Sequence, residues 1–161
     1  MKKSLFDRQH LMDYTFYGIL SGIFYSISVW LYLYGREFRE GWLMYVGSAF
    51  FTFVIMLYIV KLWQEGTDLH KPIKNVYAGH IATLTGVVVS IILTVLLCSI
   101  FKSELSSSVG GLMHPGNKSS QNLLIFLPGI AVNFLAGSFI SLLIGYAMKW
   151  NYSAKEKSVS L

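Results

Sequence analysis

The chain has 161 residues, of which 54% are apolar and 13% are charged, with one cysteine and a net charge of +5. A soluble domain usually carries about 25% charged residues, so this chain lacks the charge that a water-facing surface needs. The composition excludes a disordered chain, a disulfide scaffold and a typical soluble enzyme, and it indicates a membrane protein.

Four uncharged stretches separate the short windows that hold every Asp, Glu, Lys and Arg; they are 14–35, 41–60, 75–101 and 119–148. A helix that crosses a bilayer needs about 20 mostly apolar residues. Lipid offers the backbone no hydrogen-bond partners, so each spanning segment must be a helix. We therefore expect an all-α, integral membrane four-helix bundle in a single domain over 1–161, with spans at about 14–35, 41–62, 76–101 and 122–148.

The basic residues predict the orientation of this bundle. Nine of them lie before the first span, between the second and third spans, or after the fourth span, whereas the other two loops hold four. Basic residues accumulate on the cytoplasmic side of membrane proteins, so both termini are predicted to be cytoplasmic. This bias accounts for most of the positive charge, so no nucleic-acid partner is expected, and a modest attraction to anionic lipid is expected on the cytoplasmic face.

Small residues recur at four-residue spacing in three of the predicted spans. In lipid, small side chains let helices approach closely, whereas bulky apolar contacts gain little over contacts with lipid tails. We expect these faces to be helix-packing surfaces, and the sequence leaves open whether each packs against another span or another subunit. The residues are Gly18, Gly22 and Ser26 in the first span, Gly86 and Ser90 in the third, and Gly129, Asn133, Gly137, Ser141 and Gly145 in the fourth.

Two polar side chains inside the predicted spans are possible functional groups. His80 lies about five residues into the third span, where it is either a proton-responsive or lipid-binding group or, the favoured interpretation, an interfacial histidine hydrogen-bonded to a neighbouring helix. Asn133 lies near the midplane of the fourth span. Its amide is expected to hydrogen-bond to another helix, and the alternative is a polar contact in a permeation or ligand path.

Residues for catalysis are scarce in these spans. The uncharged stretches hold one histidine, His80, and the only cysteine of the chain is Cys98. Ion-coupled carriers usually place an ionisable group in the membrane, and thiol oxidoreductases use cysteine pairs. We therefore predict no catalytic residue, no metal and no cofactor. The leading hypothesis is a non-enzymatic packing or accessory subunit of a homo- or hetero-oligomeric membrane complex. The alternatives are an oligomeric permease or channel, and an intramembrane enzyme or lipid-binding protein.

Four local features are distributed along the chain: the Met1-Lys2-Lys3 start, a first span with glycine and serine, a basic loop before Gly79, and the run 137–145 before Lys149. In these features, over most of its length, the sequence resembles a family of small, uncharacterised four-span bacterial inner-membrane proteins. The resemblance implies a four-span topology in that membrane. It implies no particular activity and no catalytic residues.

Overall fold

The computed structural model describes residues 8–35, 41–64, 72–101 and 118–159. These residues form four helices: α1 (Arg8–Gly35), α2 (Trp42–Gln64), α3 (Pro72–Ile100) and α4 (Lys118–Val159). The prediction of an all-helical chain with four long apolar helices is confirmed for this part of the chain. By length and composition, each helix contains a segment able to cross a membrane: Leu11–Tyr34, Trp42–Gln64, Asn75–Ile100 and Phe126–Ala147.

The four helices form a bundle in which each helix has two close neighbours. Helix α1 packs against α2 and α3, and α4 packs against the same two helices from the other side. Helices α1 and α4 therefore lie at opposite corners of the bundle, and long side chains such as Tyr25 and Tyr32 of α1 reach across to α4. The second diagonal, between α2 and α3, is shorter and includes direct packing.

Aromatic contacts show that α1 and α2 run in opposite directions. Tyr17 stacks on Tyr58 with ring centroids 5.2 Å apart, and Phe24 stacks on Phe50 at 6.1 Å. As the residue number rises along α1, its partner's number falls along α2, as in a helical hairpin. We call the end of the bundle at Tyr34, Trp42, Ile100 and Phe126 the far end, and the opposite end the near end.

The helices contribute unequally to the core. Half of the α1 span is buried inside the bundle, against 17% of the α4 span. Most of the bulky core side chains come from α1 and α2, and Phe126 is the member of the core cluster from α4. Helix α4 instead presents small residues to the inside: Gly137, Ser141 and Gly145 are buried. The core is thus built from large side chains on one pair of helices and small ones on α4.

Candidate functional site

The two glycines of α1 lie directly against the backbone of α3. A Cβ atom placed on Gly18 would lie 2.7 Å from the carbonyl oxygen of Ala82, and one on Gly22 would lie 2.8 Å from the carbonyl oxygen of Gly86. Real Cβ atoms do not approach other atoms so closely. The absence of a side chain at Gly18 and Gly22 therefore permits this parallel contact between α1 and α3.

The small residues of α4 are turned into the same bundle. A Cβ on Gly137 would lie 2.6 Å from Cγ2 of Thr83, and a Cβ on Gly79 would lie 2.6 Å from Oγ of Ser141. Gly145 is also buried. For Gly137 and Ser141, the partner that the sequence left open is thus another span of the same chain, α3, which runs antiparallel to α4.

Five buried hydroxyl groups along these faces are satisfied within their own helices. Each donates a hydrogen bond of 2.7–2.8 Å to the backbone carbonyl of a glycine three or four residues earlier. Such local bonds leave a small, nearly apolar surface for the neighbouring helix. The donors are Ser21, Ser26, Thr83, Ser90 and Ser141. These side chains make close packing possible, and the bonds that their hydroxyls donate do not cross between helices.

Asn133 lies on the inward face of α4 and is fully buried. Neither its amide nitrogen nor its carbonyl oxygen has a hydrogen-bond partner in the part of the chain that the structure describes. The interhelical hydrogen bond expected from the sequence is therefore not formed there. One turn earlier, the hydroxyl of Tyr25 crosses the bundle to Gly129, where it occupies the space that a Cβ would need. The Tyr25 hydroxyl is buried and has no hydrogen-bond partner among the described residues either.

His80 is half-buried on α3 and contacts α4 through its ring. It meets Phe134 edge to face, with ring centroids 5.6 Å apart. The contact that the structure describes is thus aromatic, whereas the sequence favoured a hydrogen bond to a neighbouring helix. The partner of this ring contact, Phe134, is the residue that follows Asn133 on α4.

An ion pair at the near end of the bundle, between Lys61 and Asp13, was not predicted from the sequence. Nζ of Lys61 lies 3.0 Å from Oδ1 of Asp13, and both side chains are about one third exposed. Lys61 also lies 5.5 Å from the ring centroid of Tyr17. Both charged residues fall inside the spans assigned by hydropathy, beyond the uncharged stretches, and their pairing lowers the cost of that position. The signal in the sequence is coarser: only the five residues 36–40 separate the first two uncharged stretches, so Asp13 and Lys61 are expected at the same end of a helical hairpin.

In the described ranges, no three His, Cys, Asp or Glu side chains lie close enough together to hold a metal ion. Cys98 is a free, half-buried thiol near the far end of α3. The polar groups that stand out are therefore Tyr25 and Asn133 in the interior and the ion pair at the near end.

No family model, curated protein or solved structure matches this chain. The resemblance to small four-span bacterial inner-membrane proteins thus stays a prediction from the residues that carry it. The proposals that follow rest on the chain's own helices, contacts and charges.

Proposed function

We propose that the chain is a multi-pass protein of the bacterial inner membrane with both termini in the cytoplasm. The four apolar helices support the membrane location, and the nine basic residues on the side of the termini support the orientation. A reporter that is active only in the cytoplasm is expected to give signal when fused after Leu161 and none when inserted after Gly111. The reverse pattern would overturn the orientation.

We infer that this protein acts by binding, as a packing or accessory subunit of a membrane complex. The observation that carries this proposal is the closure of its interior. The glycines of α1 meet the α3 backbone, and the α4 glycines meet side chains of α3 and α1. Five buried hydroxyls along these faces donate to their own helices. These faces are used within the chain, so the remaining contact surface is on the outside.

The outward face of α4 is the best-placed surface for a partner. Its span is the least buried of the four, so it offers the largest share of free helix surface. The face carries large apolar side chains at helical spacing: Leu135, Phe139, Leu142 and Tyr146. Because the small residues of α4 already contact the interior, a partner would meet bulky side chains, which are also suited to lipid. The partner in this proposal is another copy of the chain or a second membrane protein.

Site-specific photocrosslinking in native membranes tests this proposal. A photoreactive phenylalanine analogue at position 139 of α4 is compared with the same analogue at position 16 of α1. Phe139 and Phe16 are equally exposed on the single chain, at 62% and 61%, so a difference between the two probes reports what covers each position. We expect protein adducts from position 139 and mainly lipid adducts from position 16. Lipid adducts alone at both positions would contradict a partner on α4.

A second candidate function is an oligomeric permease or channel. It is favoured by one observation, the unpartnered polar groups of Tyr25 and Asn133 in the interior of the bundle. Polar side chains and backbone groups are sufficient to line a pore. Purified protein in liposomes decides between the two. Reproducible flux of an ion or solute that is lost in Asn133→Leu, with the fold intact, would favour the channel over the accessory subunit.

The contact of His80 with Phe134 adds no support to the third hypothesis, an intramembrane enzyme or lipid-binding protein.

A further inference from the structure

Each of the four helices contributes at least one buried side-chain polar atom that has no hydrogen-bond partner among the described residues, and on α4 these atoms include Oγ of the half-buried Ser138. Four of the residues that carry such atoms are Tyr25 on α1, Ser48 on α2, Thr94 on α3 and Asn133 on α4. All four are almost completely shielded from solvent, with exposures of 0–6%. Nearby hydroxyls differ, since Ser26 and Ser90 donate to carbonyls of their own helices.

Each of these four side chains lies in the part of its own span toward the far end. Counting the helical rise from the far end of each span places their Cα atoms about 9–14 Å from that end. The spans are staggered, however: the contacts of Gly137 with Thr83 and of Ser141 with Gly79 place Thr94 about 10 Å closer to the far end than Asn133. We call Tyr25, Ser48, Thr94 and Asn133 the polar layer. In a membrane it would extend from near the midplane, at Asn133, into the outer half of the hydrocarbon, under the predicted orientation.

Tyr25 connects three sides of this layer. Its ring lies against α2, where a Cβ on Gly47, the residue before Ser48, would be 3.2 Å from Cδ2 of the tyrosine. Its hydroxyl reaches α4 at Gly129, one turn from Asn133. The Tyr25 side chain thus spans the bundle interior from α1 to α4 and brings its hydroxyl to the helix face that carries the asparagine.

An aromatic pair joins α1 and α4 close to the far end. Tyr32 of α1 and Phe126 of α4 meet edge to face across the bundle, with centroids 6.1 Å apart. Both are nearly fully buried, at 4% and 1% exposure. These rings fill the interior on the far-end side of Tyr25 and Asn133.

We propose that the polar layer binds small neutral molecules that both donate and accept hydrogen bonds, with ordered water as the smallest member of this class. Buried polar groups in proteins are nearly always hydrogen-bonded, and a buried water typically bonds to about three of them. The hydroxyl and amide groups of the layer offer both donors and acceptors. The charged pair that the structure describes within the spans, Asp13 and Lys61, is at the opposite end, so a neutral molecule fits the layer better than an ion. This inference is independent of the proposed partner on α4.

The first test is the sign of the stability change. If the layer binds such molecules, Asn133→Leu and Thr94→Val each remove a satisfied hydrogen-bonding group, and we expect the melting temperature in detergent to fall by roughly 2–10 °C. Ser90→Ala is the matched control, because the Ser90 hydroxyl is already bonded to Gly86, and its fall should be smaller. If the groups are truly unpaired, both layer substitutions raise the melting temperature, and that result overturns the proposal. Thr94→Val keeps the test valid if Asn133→Leu does not fold.

The second test detects the bound molecule. In protein labelled with ¹⁵N-asparagine, the Asn133 side-chain amide signal is identified by its loss in Asn133→Leu. We expect a magnetisation-transfer cross peak between this amide and water. Added glycerol tests whether larger members of the class bind. If glycerol raises the melting temperature of the wild type but not of Asn133→Leu, the site also binds alcohols. If the water cross peak appears without such stabilisation, the site binds ordered water. The proposal would be overturned if the water cross peak is absent and Tyr25→Phe causes no further loss of stability in the Asn133→Leu background. That pair of results would mean a direct hydrogen bond between the two side chains.

Discussion

The contact between α1 and α3 predicts a large effect of Gly22→Leu. A Cβ at position 22 would lie 2.8 Å from three atoms: the carbonyl oxygen of Gly86 and two side-chain carbons of Val89. Ordinary van der Waals contact begins at about 3.4 Å and is optimal near 3.5–4.0 Å, so the helices must separate by about 0.6–1.2 Å. None of the three atoms is the end of a flexible side chain. The strain therefore cannot be relieved by a rotamer change alone.

Leucine adds three more carbons beyond that Cβ, and the separation also weakens the contact at Gly18 one turn away. Overpacking of this kind costs about 1–3 kcal/mol and occasionally more. We expect Gly22→Leu to lower the free energy of unfolding by about 3 kcal/mol, measured by titration from mild detergent into dodecyl sulfate with tryptophan fluorescence as the signal. The control is Ala49→Leu, which places the same side chain on an exposed position of α2. Equal stability of the two variants would refute the close approach of α1 and α3.

Three further predictions concern other contacts. Gly137→Leu should destabilise the bundle in detergent by about 1–3 kcal/mol through overpacking, while Leu143→Ile on the exposed face should have little effect; equal losses in thermal melts would mean that the small face of α4 meets lipid. A double-mutant cycle with Asp13→Ala and Lys61→Ala should give a coupling of about 0.2–1 kcal/mol that decreases with added salt, and no coupling in unfolding experiments would show that the ion pair contributes nothing. His80→Phe should retain the ring contact with α4 and stay within about 1 kcal/mol of the wild type in chemical unfolding; a much larger loss would indicate a hydrogen bond of the imidazole.

The number and approximate position of the helices could be predicted because they depend on a property that is local in sequence. Charged residues mark the ends of the apolar stretches, so the positions of the four candidate spans can be found by reading along the chain. The four-residue spacing of Gly137 and Ser141 likewise predicts a packing face, since helical geometry alone places them on one side. Which helix meets that face depends on the arrangement of the bundle, and the similar small-residue patterns of α1, α3 and α4 do not distinguish among partners.

The polar layer was harder to predict. Asn133 stood out as the only amide in the middle of a span, but Tyr25 is one of ten tyrosines, and nothing local marks it as the one that crosses the bundle. Ser48 and Thr94 look like the other hydroxyl residues of the spans. The positions of these residues along the bundle depend on how far each helix is displaced along its neighbours. The pairing of Asp13 with Lys61 is different, because the short separation of α1 and α2 in sequence places both residues at the same end of the hairpin, and only the exact register was needed in addition.

The proposal that the protein acts by binding through the outward face of α4 is tested most directly by its mass in a native-like bilayer. The chain has a mass of 18.2 kDa. Extracted into nanodiscs without detergent and weighed by native mass spectrometry, it should appear as an oligomer or with a defined second protein. Phe139→Ala should weaken that association and Phe16→Ala, on an equally exposed site of α1, should not. A single chain at 18.2 kDa in the wild type, or equal effects of the two substitutions, would contradict the account.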